Sequence, residues 1–104
     1  MRTVYFKRGA KFEIEVELID VDESPIVVPV DDMKAQIRDN QSNLVCELDI
    51  EEGDEDGVYI LTTDDDTSDW PIQNLKTDIQ MYMNSDPYYS ETITIQVIKQ
   101  ETII

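Results

Sequence analysis

Apolar and polar side chains alternate with a period of two along most of this chain, the pattern of half-buried strands. Over residues 12–18, Phe12, Ile14, Val16 and Leu18 interleave with Glu13, Glu15 and Glu17. This predicts a strand with one buried face and one wet, acidic face. Three glutamates on one side repel one another, so the facing strand is expected to offer Lys, Thr or solvent. Residues 20–25 read as a hairpin-type turn, and residues 26–28 as a short strand ended by Pro29. In residues 33–39, Met33, Ala35 and Ile37 point inward. After a polar turn at residues 40–43, Leu44, Cys46, Leu48 and Ile50 do the same, and the two runs make a hairpin. An acidic loop with Gly53 and Gly57 leads to a strand over residues 58–63. Residues 64–71 break the pattern: an Asp or Thr there can cap one helical turn, and Trp70-Pro71 stops it. A long strand follows over residues 75–83, with Leu75, Thr77, Ile79, Met81 and Met83 on one face. A turn at residues 84–87 precedes a last strand over residues 89–98, with Glu91, Ile93, Ile95 and Val97 on one side.

Turn signals near every 8–12 residues and about seven strands predict an all-β fold, an antiparallel immunoglobulin-like β-sandwich. One short helical turn is expected near Asp66 and Trp70. Residues 1–8 read as a basic N-terminal arm or an edge strand, and residues 9–104 as a single β-sandwich domain. The length of 104 residues suits one domain. The hydrophobic fraction of 40% suits one core. Apolar stretches run to only a few residues, well short of the roughly 20 that a membrane helix needs. The start, Met-Arg-Thr-Val-Tyr-Phe-Lys-Arg, lacks the apolar region of a signal peptide, so use from the cytoplasm of the producing cell is expected.

Charge and composition narrow the chemistry. With 0 His and 1 Cys, no His-based triad, His ligand, internal disulfide or thiolate zinc cluster can form. The net charge of −16 argues against a duplex-DNA or anionic-membrane partner. The charge is uneven: Arg2, Lys7, Arg8 and Lys11 stand in a stretch without acids, whereas residues 12–104 hold 4 basic and 24 acidic side chains. Such polarity suits head-to-tail contacts in which a basic arm meets a neighbour's acidic face, or else a start with ordinary surface lysines.

Three acidic clusters are candidates for a hard cation: Asp54 and Asp56, Asp64 and Asp66, and the Asp20–Glu23 loop. Converging Asp loops can supply calcium's six to eight oxygens. The alternative is a solvated loop, since the twelve-residue EF-hand spacing is missing. Trp70, Tyr82, Tyr88 and Tyr89 suit either a carbohydrate platform or core and turn packing. Cys46, in phase with Leu44 and Leu48, reads as a small buried hydrophobe. No nucleophile–base pair, phosphate loop or cofactor fingerprint is present, so no enzyme activity and no cofactor are expected.

The order of features resembles a family of short β domains in tailed-phage genomes, found in baseplate, tail-fibre and head-fibre attachment proteins. The matching residues are Arg8-Gly9-Ala10-Lys11-Phe12 with the Glu-interleaved strand after it, Asp22, Ser24 and Pro25, and the run from Met33 to Asp39. Leu44-Val45, Asp56-Gly57-Val58-Tyr59-Ile60-Leu61, Asp78-Ile79-Gln80, the run from Glu91 to Val97 and Glu101-Thr102 complete them. This chain has fewer glycines in its turns and is more acidic. The resemblance implies a non-enzymatic virion protein of a phage or prophage. Its expected partners are other virion proteins and copies of itself, without direct contact to nucleic acid or membrane. It would reside in the virion, and in the host cytoplasm during assembly. The basic residues Arg2, Lys7, Arg8 and Lys11 and the apolar Ile103 and Ile104 are its candidate contacts. Two other readings stand beside it: a glycan-binding module with calcium in the Asp loops, and an acidic DNA-mimic inhibitor.

Overall fold

A computed structural model describes residues 2–99, and of Arg2 the backbone alone. Nine strands lie among them: β1 (Arg2–Lys7), β2 (Glu13–Glu17), β3 (Met33–Arg38), β4 (Leu44–Glu52), β5 (Val58–Thr62), β6 (Asn74–Thr77), β7 (Ile79–Met83), β8 (Asp86–Tyr89) and β9 (Ile93–Ile98). They form one curled sheet in the order β1-β9-β6-β3-β4-β5-β2, with β7 paired to β3 and β8. The long strand β4 makes the curl. Its first half pairs with β3 through Leu48, Glu47, Cys46 and Leu44. Its second half, Asp49 to Glu52, pairs with β5. Both halves of the sheet thereby turn their apolar side chains onto one core.

The fold is all-β but mixed, not wholly antiparallel as expected: β1 runs parallel to β9, from Arg2↔Ile93 to Lys7↔Ile98. Alternation carries no direction, and the long connection between these strands does not dictate one. The expected helical turn near Asp66 and Trp70 is a plain turn, closed by the Trp70 N–H on the Thr67 carbonyl at 3.1 Å. Among the described residues the one helical element is a 3-10 turn at Val30–Asp32.

The core is built where the alternation places it. Phe12, Ile37, Leu61, Leu75, Ile79 and Ile95 are each 0% exposed, and burying each such side chain contributes about 1.5–3 kcal/mol. At one end, Phe6, Phe12 and Trp70 pack with ring centroids 5.2–5.4 Å apart. Thr67 fastens this end: its hydroxyl donates to the Ala10 carbonyl at 2.6 Å and accepts from the Gly9 N–H at 3.0 Å.

Two bulges change the register. Between Ile37 and Arg38 the β3–β4 pairing slips by one residue, and Leu44, expected inside, is 52% exposed. The expected strand over residues 89–98 is likewise two strands, β8 and β9. Residues 78–79 lie opposite 90–92, between the pairs Thr77↔Ile93 and Gln80↔Tyr89. Here the Ile79 N–H donates to the Ser90 hydroxyl at 2.8 Å, and the Ser90 N–H to the Ile79 carbonyl at 2.9 Å. An extra residue flips every following side chain to the other face, so Glu91 is exposed outside the ladder and Tyr89 faces outward. The turn after β7 is a two-residue hairpin loop, with Asn84 and Ser85 at φ 54° and 69°. Asp86 and Pro87 thus begin β8. Pro87 fits there because β8 is an edge strand, paired only to β7.

Candidate functional site

The outer face of the shorter half, β2, β5 and the end of β4, is acidic. Glu13 and Asp49 both stand opposite Thr62, and Glu15 and Glu51 both stand opposite Ile60. Glu17 lies opposite Val58. The middle strand therefore offers Thr and apolar side chains between two rows of carboxylates, and no cation.

The outer face of the longer half is different. Lys34, Gln36 and Arg38 alternate with inward Ala35 and Ile37, and Lys76 stands directly opposite Arg38. Lys7 reaches the same face at the end of β1, opposite Ile98. The Arg38 guanidinium donates to the Ser42 carbonyl at 3.0 Å and to Gln36 Oε1 at 2.9 Å. Lys34 pairs with Glu47 across the ladder at 3.9 Å. Beside them the Gln80 amide donates to the Tyr82 and Tyr89 hydroxyls at 3.3 and 3.2 Å. Lys34, Arg38, Lys76, Gln80 and Tyr89 line a shallow depression of about 440 Å³. A second, more apolar cleft of about 580 Å³ lies between β2 and the β7–β8 hairpin, over Val16, Ile79, Met81 and Ile93.

The residues singled out in the sequence fall in several places. Lys7, Arg8 and Lys11 stand close along the chain at the end of β1 and the following turn. Lys11 makes a long ion pair with Asp64 at 4.0 Å, both side chains exposed. Arg8 is half-buried, and its Nε lacks a hydrogen bond. Arg2 contributes backbone to β1, and Ile103 and Ile104 lie outside the described residues. Asp54 and Asp56 precede β5, whereas Asp64 and Asp66 follow it, so the strand holds the two pairs at opposite ends rather than letting them converge. Among the described residues no group of three or more His, Cys, Asp or Glu side chains is placed to hold a metal ion. The Asp66 carboxylate is kept below its usual pKa by the Ser68 hydroxyl and N–H, and Asp22 by the Ser24 N–H and hydroxyl. Trp70 is core, at 4% exposure, whereas Tyr82, Tyr88 and Tyr89 are exposed.

The cation group of Lys34, Arg38 and Lys76 was not evident from sequence because the β3–β6 pairing brings together positions 38 residues apart. The available signal was their phase: each falls on the polar beat of an alternating run. No family model and no curated protein matches this sequence.

Proposed function

We propose that this chain is a non-enzymatic structural component of a phage or prophage particle, of the tail, baseplate or head-fibre type, working by protein–protein docking. The supporting observation is where the family-like motif residues lie. Arg8 and Gly9 close β1, Asp22, Ser24 and Pro25 form a turn, and the remaining motifs within the described residues fall in or beside β2, β3, β4, β5, β7 and β9. They build the strands of the frame, and several of them border the two depressions as well, which leaves the outer faces for contacts. In this reading the curled sheet is an immunoglobulin-like sandwich, with β1, β9, β6 and β3 over β2, β5 and the end of β4. Mass spectrometry of particles purified from an induced source culture tests it. Peptides of this chain are expected in the particle fraction, in fixed ratio to the major structural proteins. Their confinement to the soluble fraction would contradict the proposal.

A second reading, a glycan-binding module, draws on Tyr82 and Tyr89, exposed and joined through Gln80. Exposed rings with an ordered amide between them suit stacking and hydrogen bonding to a sugar. Binding of surface glycans that is lost in Tyr82→Ala and Tyr89→Ala would favour it.

A further inference from the structure

We infer that the cationic outer face of the longer half-sheet docks onto the acidic outer face of the shorter half-sheet of a second copy, head to tail. The inference rests on the docking reading above and names its partner and surfaces. Its first support is charge complementarity. The acidic face presents Glu13, Glu17, Asp49 and Glu51 along β2 and the end of β4, with Lys11, paired to Asp64, at its end. On the outer face of the longer half, Lys7, Lys34, Arg38 and Lys76 outnumber Glu47, Asp39 and Asp78. The Asp39 carboxylate is already occupied there by the Gln41 and Asn43 N–H groups, both at 2.9 Å. In a chain with 24 acids and 8 bases, four bases against three acids on one face is a marked departure from the average.

The second support is local repulsion. Arg38 and Lys76 are direct cross-strand partners, and like charges so placed destabilise a sheet. Carboxylates flank Thr62 on both sides of the other face. Each face holds an unfavourable cluster that the other would relieve. Because the contact joins two different faces of the chain, it is heterologous. It generates a ring if the rotation closes and a filament if it does not.

Net charge gives the contact a distinctive salt response. At about 10 mM salt the Debye length is roughly 30 Å, so the full charges of two copies repel. At about 0.15 M it is roughly 8 Å, which leaves mainly the facing charges, and at about 1 M those too are screened. Association is therefore strongest at intermediate salt.

Two triple variants test the assignment by sedimentation equilibrium at about 0.15 M salt: Lys34→Glu/Arg38→Glu/Lys76→Glu and Glu13→Lys/Glu17→Lys/Asp49→Lys. All six side chains are exposed, and circular dichroism checks that the sheet is retained. Wild type is expected to self-associate, and each variant alone to lose at least about tenfold in affinity. An equimolar mixture should associate again, because each variant keeps the face the other needs. The neutral variant Lys34→Gln/Arg38→Gln/Lys76→Gln, expected to lose affinity too, serves if the charge reversals unfold the chain. Variants that associate like wild type, or a mixture that does not, would overturn the inference. So would a monomeric wild type whose cationic face instead captures polyglutamate or a sulfated polysaccharide. None of these results touches the presence of the chain in particles, which is measured separately.

Discussion

The hydroxyl of Tyr59 does for residues 26–28 what a neighbouring strand would otherwise do. It accepts from the Val28 N–H at 2.9 Å and lies 3.0 Å from the Val28 carbonyl and 3.3 Å from the Ile26 carbonyl. The sequence predicts a strand at residues 26–28; they form none, and besides the Ile26 N–H on the Leu18 carbonyl at 2.9 Å this side chain holds them. Tyr59→Phe leaves the buried Val28 N–H without a partner, at a cost of about 1–3 kcal/mol. Calorimetry should show a melting point lower by roughly 4–20 °C, and an unchanged value would refute this role. Gly57 works beside it at φ 81°, where an added Cβ would meet Pro25 Cβ at 2.8 Å and the Leu18 carbonyl at 2.9 Å. Cys46 is legible as a buried hydrophobe and is 5% exposed. Burial pushes its thiol up from 9.0 to about 11, the nearby Asp65 carboxylate adds to this, and a Thr63 hydrogen bond opposes it. A raised pKa means that the neutral thiol's contribution to stability is complete below the unfolded value and is lost as pH rises towards 11. At pH 8 a thiol reagent should modify native Cys46 at least about 100-fold more slowly than the denatured chain. Equal rates would contradict its burial.

At the scale of elements, alternation alone located the inward residues of β2, β3 and β6. It failed where backbone geometry adds a residue. Nothing in the composition around Leu44 or Ser90 marks a bulge, and each bulge reverses the phase of what lies beyond it. The run over residues 75–83 keeps one buried phase although Asp78 divides it into β6 and β7. The sequence of the first residues fits either an arm or an edge strand. The backbone of β1 forms a parallel ladder with β9, and Phe6 sits 8% exposed against Phe12 and Trp70. Deleting residues 1–7 should therefore uncover the aromatic end of the core. The melting point is expected to fall by more than 10 °C, since losing a buried Phe costs about 3–5 kcal/mol. Trp70 emission should move to longer wavelength as water reaches the ring. A truncated chain with wild-type melting and emission would show that the segment is a dispensable arm. The candidate interface was half legible: the acidic row appears within one strand, but the opposing cation group exists only once β3 and β6 are paired.

For the whole molecule the dominant quantity is a net charge of −16 on 104 residues. Self-repulsion of this size opposes compaction, so the melting point should rise with added salt as the charges are screened. A melting point independent of salt would mean that the carboxylates are too dispersed to matter. The same repulsion opposes assembly at very low salt, while the division of sign between the two outer faces favours it once long-range fields are screened. The most direct measurement is solution mass by light scattering over a concentration series at about 10 mM, 0.15 M and 1 M salt. The expected result is a mass that climbs above 12.1 kDa with concentration at the intermediate salt and returns towards it at both extremes. A mass of 12.1 kDa at every concentration and every salt would contradict docking between copies.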